Sequence, residues 1–349
     1  MRYNRRMHMR FATQPELDTW NDLIDQNPSG GNILQGKEFV ELKERSGWTA
    51  RYIVSDYCVF SVIEKSIPLL GKVWYCPKGP GIATKKELAN LLPELTVFAK
   101  KQGVFTVKIE PELDYMTKLS VLNLIATAPV QYNYSTVYVD LSPSLEDIMA
   151  NLNQKGRHAI KRAERDGVTV EKVPATPENC KIMYDLFLET AHGAGFAIRP
   201  PEYYQAFYTR YEDQGRGQLF FAYFEGKVVA GAYAMVQGTK SMYKDGASVR
   251  ERTAYGASHL LQWHVIQWAK NHGSLSHDLA GVPPIKDIKN PNHPFSGLAR
   301  FKTSFNKQVT QYVGAFEVPI VPWKAKLWHK YVEKVVRKLY FKQKHESYY

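Results

Sequence analysis

One pattern occurs twice in this chain. "FAKKQGVFTVKIEP" (98–111) and "WAKNHGSLSHDLAG" (268–281) each close an apolar helix with Ala-Lys-x-x-Gly and run on into a strand, so that Ala99, Lys100 and Gly103 answer to Ala269, Lys270 and Gly273. Leu91, Leu95 and Phe98 in the first half, and Leu261, Val265 and Trp268 in the second, fall at i, i+4 and i+7 on one helical face. Each glycine stands where a left-handed C-cap is wanted. One such ending is commonplace, but two of them imply a duplicated unit, and 349 residues suffice for two domains of ordinary size.

The segments before these helices agree. "QLFFAYFEGKVVAGAYAMVQGTKSMYKDGAS" (218–248) predicts three strands with a hairpin at Glu225-Gly226, and "RYIVSDYCVFSVIEKSIPLLGKVWYCPKGPG" (51–81) fills the same role in the first half. An earlier helix is expected in each half, around 15–26 and 177–191. Helix, antiparallel strands, helix, strand is an α+β order, and it resembles the acetyltransferase (GNAT) fold occurring twice. The halves are expected at 1–142, completed by 316–349, and at 143–315. A long helix, "SLEDIMANLNQKGRHAIKRAERDG" (144–167), opens the second, with Ser144 as cap, Asp147 completing the box and Gly167 as stop. Arg157, Lys161 and Arg165 line one of its faces at i, i+4, i+8, either as a solvated face or as a track for phosphates.

Charge narrows the partners. Forty-six Lys+Arg against 34 Asp+Glu give +12, which favours nucleic acid, nucleotides or an anionic membrane surface. Eight of the cations lie in 321–349 against Glu333 and Glu346; there Trp328, Tyr331, Val332, Val335 and Leu339 make an apolar face that suits a helix packed on the body or one lying in a membrane interface. Cys58, Cys76 and Cys180 are too few and too scattered for a disulfide framework or a metal site, so a reducing compartment is expected. The start, "MRYNRRMHMRF", lacks the apolar core of a secretory signal, and no apolar run approaches the ~18 residues of a membrane span, which predicts a cytoplasmic protein.

Several sets of catalytic residues are missing. There is no H-E-x-x-H, no Walker loop and no G-x-S-x-G, and the ten histidines form no ligand pattern, so no metal site is expected. The Gly-rich turn that would hold the pyrophosphate of acetyl-CoA is absent as well: "ATKKELANLL" has no glycine in the turn, and in "ERTAYGASHLL" Gly256 is out of step with Arg252. "GLARFKTSFN" (297–306) sets Arg300 and Lys302 among Phe301 and Phe305, an alternation that predicts a strand burying Phe301 and showing both cations to something negative.

These residues carry a resemblance. "YKDGASVRERTAYGASHLLQWHVIQWAKNHGSLSHDLAGV" (243–282) and "GLARFKTSFNKQVTQYVGAFEVPI" (297–320), with "RHAIKRAERDGVTVE", "ILQGKEFVELKERSGW" and "VKIEPE", look like the Fem family of peptidoglycan bridge-forming aminoacyltransferases. The likeness spans about residues 30–320 and is most specific in "SHLLQWHVIQWAKNHG" and "RFKTSF". Without a coiled-coil arm, the chain is similar to the compact FemX type. The resemblance implies two GNAT-like domains and transfer of an amino acid from aminoacyl-tRNA to an amine of the stem peptide. The acceptor would be UDP-MurNAc-pentapeptide or lipid II, and no acetyl-CoA or other cofactor is needed.

It also implies roles. Lys302, flanked by Phe301, would hold the 3′ end of the tRNA and neutralise the developing oxyanion, and Glu110 of "KIEPE" would accept the amine's proton or simply hold the turn before Pro111. Lys43 of "ELKERSGW", Arg199 and Tyr203 of "IRPPEYY", and Tyr243 would bind the diphosphate-bearing acceptor. Arg300, Lys302, Arg157, Lys161 and Arg165 would meet tRNA. The expected protein is a monomer, in the cytoplasm or at the inner face of the plasma membrane, with its basic tail as a peripheral contact. Two rivals share these features: an acyltransferase acting on another amine, and a tRNA-binding module without turnover.

Overall fold

The computed structural model describes residues 9–194, 198–249, 254–344 and 346–349. Arg252 and most of the basic start lie outside them. The chain forms two units, one running to Tyr134 and joined by Tyr312–Tyr349, the other Ser135–Gln311. The first division falls ahead of the strand Ser135–Asp140 because that strand hydrogen-bonds into the second sheet.

The first unit has a seven-stranded sheet of β1 (Arg10–Phe11), β2 (Thr49–Val54), β3 (Val59–Ile67), β4 (Gly71–Cys76), β5 (Val104–Ile109), β6 (Ile125–Thr127) and, from late in the chain, β14 (Ala315–Pro319). Their order is β1-β2-β3-β4-β5-β14-β6. The second sheet contains β7 (Ser135–Asp140), β8 (Thr169–Val173), β9 (Gly217–Phe224), β10 (Lys227–Gln237), β11 (Lys240–Ser248), β12 (Ser276–Gly281) and β13 (Thr310–Gln311), ordered β13-β7-β12-β11-β10-β9-β8. The duplication is visible in the ladders. β2-β3-β4 and β9-β10-β11 are antiparallel, and the helices Lys85–Lys101 and Ala257–Asn271 then cross over to β5 and β12, which pair in parallel with β4 and β11.

The repeated helix ending behaves as its sequence requires. Gly103 and Gly273 sit at φ +76° and +81° with open space where a Cβ would stand, so the left-handed backbone alone asks for glycine there. Leu91 and Leu95, like Leu261, Val265 and Trp268, are buried in the core of their own unit. Glu225 and Gly226, both at positive φ, turn β9 into β10 at the expected hairpin. Among the described residues no coiled-coil arm interrupts the second unit, and the mixed fold is that of two GNAT-like units.

Two expectations fail for identifiable reasons. The helix expected over 144–167 is two helices, Leu145–Asn151 and Gln154–Arg165. Asn153 leaves the helical path because its backbone N–H donates to Ser304 O at 3.1 Å and its side-chain amide donates to Thr303 O. "GLARFKTSFN" is not a strand: Ser296–Lys302 is a short helix, in which a three-residue step buries Ala299 and Lys302 and leaves Arg300 exposed. Seven residues of cation and ring fit either period, and packing on Gly281 and Asn153 selects the helix.

Candidate active site

The site begins where two parallel strands part. β11 and β12 pair only at Lys240↔Ser276, Ser241↔His277 and Met242↔Asp278. Beyond that point β11 stays with β10, bulging at Lys244, while β12 follows β7 through a bulge between Asp278 and Gly281. In the first unit β4 and β5 stay paired as far as Cys76↔Ile109, so the same separation does not arise. The β12 bulge holds Ala280 at φ +60°, which is unusual for a residue with a side chain. The Asp278 carboxylate fixes it by accepting the Ala280 N–H at 2.7 Å and the Thr136 hydroxyl.

This bulge turns a carbonyl towards Lys302. The ammonium, only 4% exposed, donates to Gly281 O at 2.9 Å. Burial pulls its pKa down to about 8, and the Asp278 charge opposes that fall. Lys302 is therefore a buried cation rather than one displayed to solvent, and it remains largely protonated at neutral pH.

An aromatic wall stands beside it. The Phe301 ring lies 5.0 Å from His259, 5.4 Å from Phe305 and 6.5 Å from Tyr243, and His259 stacks on Phe305 at 5.7 Å. His259 Nε2 lies 3.1 Å from Ser304 Oγ, and burial lowers the imidazole pKa to about 4, so it is neutral here. The Tyr243 hydroxyl covers Gly246 so closely that a Cβ there would stand 1.5 Å from it. Two helix contacts lock the frame: Gly156 against Ser304 O, and Gly256 against Ala159 O. That close packing, at φ +81°, is the local reason for Gly256.

Arg199 and Tyr203 form a second cluster in the same unit. The guanidinium lies 4.5 Å over the Tyr203 ring, Tyr203 packs on Phe207, and Lys244 Nζ lies 5.1 Å from the Phe207 ring centre while pairing with Asp245 at 3.1 Å. The β11 bulge gives Lys244 this position directly after Tyr243. The basic stripe is only partly available. Lys161 is exposed, Arg165 is shared with Asp166 at 3.2 Å, and Arg157 is half-buried, donating to the Ala150 and Leu152 carbonyls freed where the preceding helix ends. That helix break removes Arg157 from the outward row.

Lys43 and Glu110 belong to the first unit. Lys43 is buried, its ammonium 5.0 Å from the Phe39 ring centre. Glu110 is buried at the end of β5, where its carboxylate accepts the Tyr75 hydroxyl at 2.5 Å and the Val130 and Gln131 N–H groups at 2.7 and 3.0 Å. It thus holds the 130–131 backbone, beyond the turn at Pro111 that the sequence suggested. Among the described residues no His, Cys, Asp and Glu cluster could hold a metal.

Sequence reasoning missed Asp278, Thr136, His259, Lys244 and Asn153. An Asp two residues before a turn is a backbone-bonding signal, and "HDLAG" contained it. His259 gave none, because its partners lie at 301–305.

A sheet that parts beside a buried cation and an aromatic wall, in one of two GNAT-like units, places the chain in the tandem GNAT-like class of folds. The FemAB family model matches at residues 13–131, 122–227 and 218–334, and the chain belongs to that family. It is 21% identical to the lipid II:glycine glycyltransferase of Staphylococcus aureus (strain MRSA252), over 89% of this chain and 92% of that one. Among solved structures, FemX superposes with a TM-score of 0.77 at 18% identity, covering 92% of this chain and 98% of FemX. The C-terminal domain of a putative lysylphosphatidylglycerol synthetase from Agrobacterium fabrum reaches 0.50 at 14% identity, with 90% and 96% covered.

Proposed function

We propose that this protein transfers an amino acid from aminoacyl-tRNA to the amine of a peptidoglycan stem peptide, borne by UDP-MurNAc-pentapeptide or lipid II. The observation that carries the reading is Lys302, a buried cation anchored to Gly281 O beside the parted strands. Membership of the FemAB family and the glycyltransferase activity named for the staphylococcal relative support it.

The reaction is aminolysis of an ester. The neutral amine attacks the aminoacyl carbonyl, a C–N bond forms, the ester C–O bond breaks, and the ribose oxygen leaves with the proton the amine gives up. Negative charge gathers on the carbonyl oxygen on the way, so a fixed cation in a dry site contributes more than a protein nucleophile would. Lys302 supplies that charge and Phe301 a face for the terminal adenosine. Glu110 accepts three hydrogen bonds, and a carboxylate has about four lone-pair positions, which leaves room for one transferred proton.

For the acceptor, Arg199 offers a planar fork to the diphosphate, with Tyr203 beneath it, Tyr243 as a further contact and Lys244 added beside Phe207; in the first unit Lys43 is kept as a candidate acceptor contact. For tRNA the reading keeps the exposed cations Arg300, Lys161 and Arg165 beside Lys302 itself. The donor is the point to test. Labelled aminoacyl-tRNA should pass its label to muropeptide while labelled acetyl-CoA passes none; transfer from acetyl-CoA alone would overturn the reading in favour of an ordinary acyltransferase, and tight tRNA binding without transfer would reduce the protein to a binding module.

A further inference from the structure

The last helical run, Pro322–Leu327, a π turn over Trp328–Val332 and Glu333–Lys344, divides its residues in a way the sequence did not disclose. Trp328 and Ala325 are buried and Val332 is half-buried, so these hold the run to its unit. Tyr331, Val335 and Leu339, grouped with Trp328 and Val332 in the sequence on one face that suited either packing or a membrane interface, are exposed. With Trp323 and Leu327 they form a ladder at four-residue intervals, each residue between 39% and 64% exposed.

The π turn accounts for the alignment. In an α-helix a four-residue step overshoots one turn by about 40°, so a ladder of five would wind off one face. A π turn takes more residues per turn, and here it falls between Leu327 and Tyr331, countering that drift.

A second ladder runs beside the first. Lys326, Lys330, Lys334 and Lys338 each precede an apolar rung by one residue, with Arg337 and Lys342 near, and all six are exposed. Glu333, the helical run's one acid, turns inward and pairs with the buried Lys108 at 2.6 Å. Among the described residues of this run, the outward side therefore carries only apolar and cationic side chains, with Gln343 as its neutral polar exception. The β3–β4 hairpin tip extends the apolar row: Lys324 donates to Leu70 O at 2.8 Å, which brings Leu69, 99% exposed at φ +65°, to the Trp323 end.

We infer that this side of the helix is a peripheral docking surface for an anionic lipid bilayer, with Leu69, Trp323, Leu327, Tyr331, Val335 and Leu339 entering the interface and the lysine ladder meeting phosphate headgroups. Aromatic and aliphatic side chains in one row beside long cations are what the boundary of headgroups and acyl chains accommodates, because lysine stems cover apolar surface while their ammonium groups stay in water. A second copy of the chain is the poorer occupant, since a two-fold contact would crowd lysine ladders of one sign together. The inference does not depend on the transfer reaction and is tested without it.

Full-length protein is sedimented with vesicles of phosphatidylcholine alone or mixed with phosphatidylglycerol. Binding is expected to be at least ten-fold stronger to the mixed vesicles. The triple variant Trp323→Ser, Tyr331→Ser, Leu339→Ser should lose at least ten-fold of it, and Lys326→Gln, Lys330→Gln, Lys334→Gln, Lys338→Gln should remove the preference for anionic lipid. These residues are exposed, so both variants should melt like the parent. No binding to mixed vesicles, equal binding by the variants, or a dimer abolished by the serine variant in protein that ignores vesicles would each overturn the inference.

Discussion

Lys302→Ala should lower turnover by at least ten-fold while muropeptide affinity barely moves. One fixed donor or cation aimed at a developing oxyanion is worth a few kcal/mol in the transition state and little in the ground state, so the loss should fall on kcat rather than KM. The same residue predicts two pH effects of opposite sign. With its pKa lowered to about 8, Lys302 loses its charge as pH rises through that value, so turnover should decline above about pH 8. The unfolded chain still binds this proton up to its ordinary pKa near 10.5, so it holds more protons than the folded chain between about 8 and 10.5. Through this group, stability should therefore rise with pH across that window. In Lys302→Ala both dependences should vanish. Near-wild-type turnover in that variant would remove Lys302 from the chemistry.

Gly156→Ala should damage both stability and turnover, although alanine is the better helix former by about 1 kcal/mol. A Cβ at Gly156 would stand 2.5 Å from Ser304 O, a backbone atom that no rotamer change can move aside. Overpacking of this kind costs roughly 1–3 kcal/mol, so it should outweigh the propensity gain. Ser304 follows Lys302 by two residues and its carbonyl also receives the Asn153 N–H, so relief of the overlap shifts the turn that aims the ammonium. Misplacement by about an ångström can reduce rate by roughly 10²-fold. Gly297→Ala is the control: it lies in the helix that ends at Lys302 and meets nothing within 4 Å, so it should leave turnover unchanged and the melting temperature unchanged or slightly higher. Equal behaviour of the two variants would mean that the packing of Gly156 on Ser304 does not hold the site.

The duplicated fold was legible because its signals are local. Leu261, Val265, Trp268 and Gly273 specify a helix face and its stop within a few turns, and Glu225-Gly226 specifies a hairpin in two residues. The candidate site could be nominated from its residue types, but its geometry could not be read from them. Phe301 and Lys302 could be singled out, yet their helix, the burial of the ammonium and its carbonyl partner depend on Gly281 and Asn153, which lie far away in sequence. The parting of β11 from β12 has no local code either. It follows from a bulge at Asp278 that a carboxylate and Thr136 stabilise across β7. In the final helical run a heptad-like count mixed Trp328 with Tyr331, Val335 and Leu339, because a π turn shifts the phase that the count assumes constant.

The most direct test of the central claim is the mass of the product. The protein is incubated with a pool of charged tRNA and either UDP-MurNAc-pentapeptide or lipid II, and the acceptor is then weighed by mass spectrometry. Aminolysis predicts an increase equal to one or more aminoacyl residues, abolished by ribonuclease and strongly reduced in Lys302→Ala. An unchanged mass of both acceptors with folded protein and intact aminoacyl-tRNA would contradict the account.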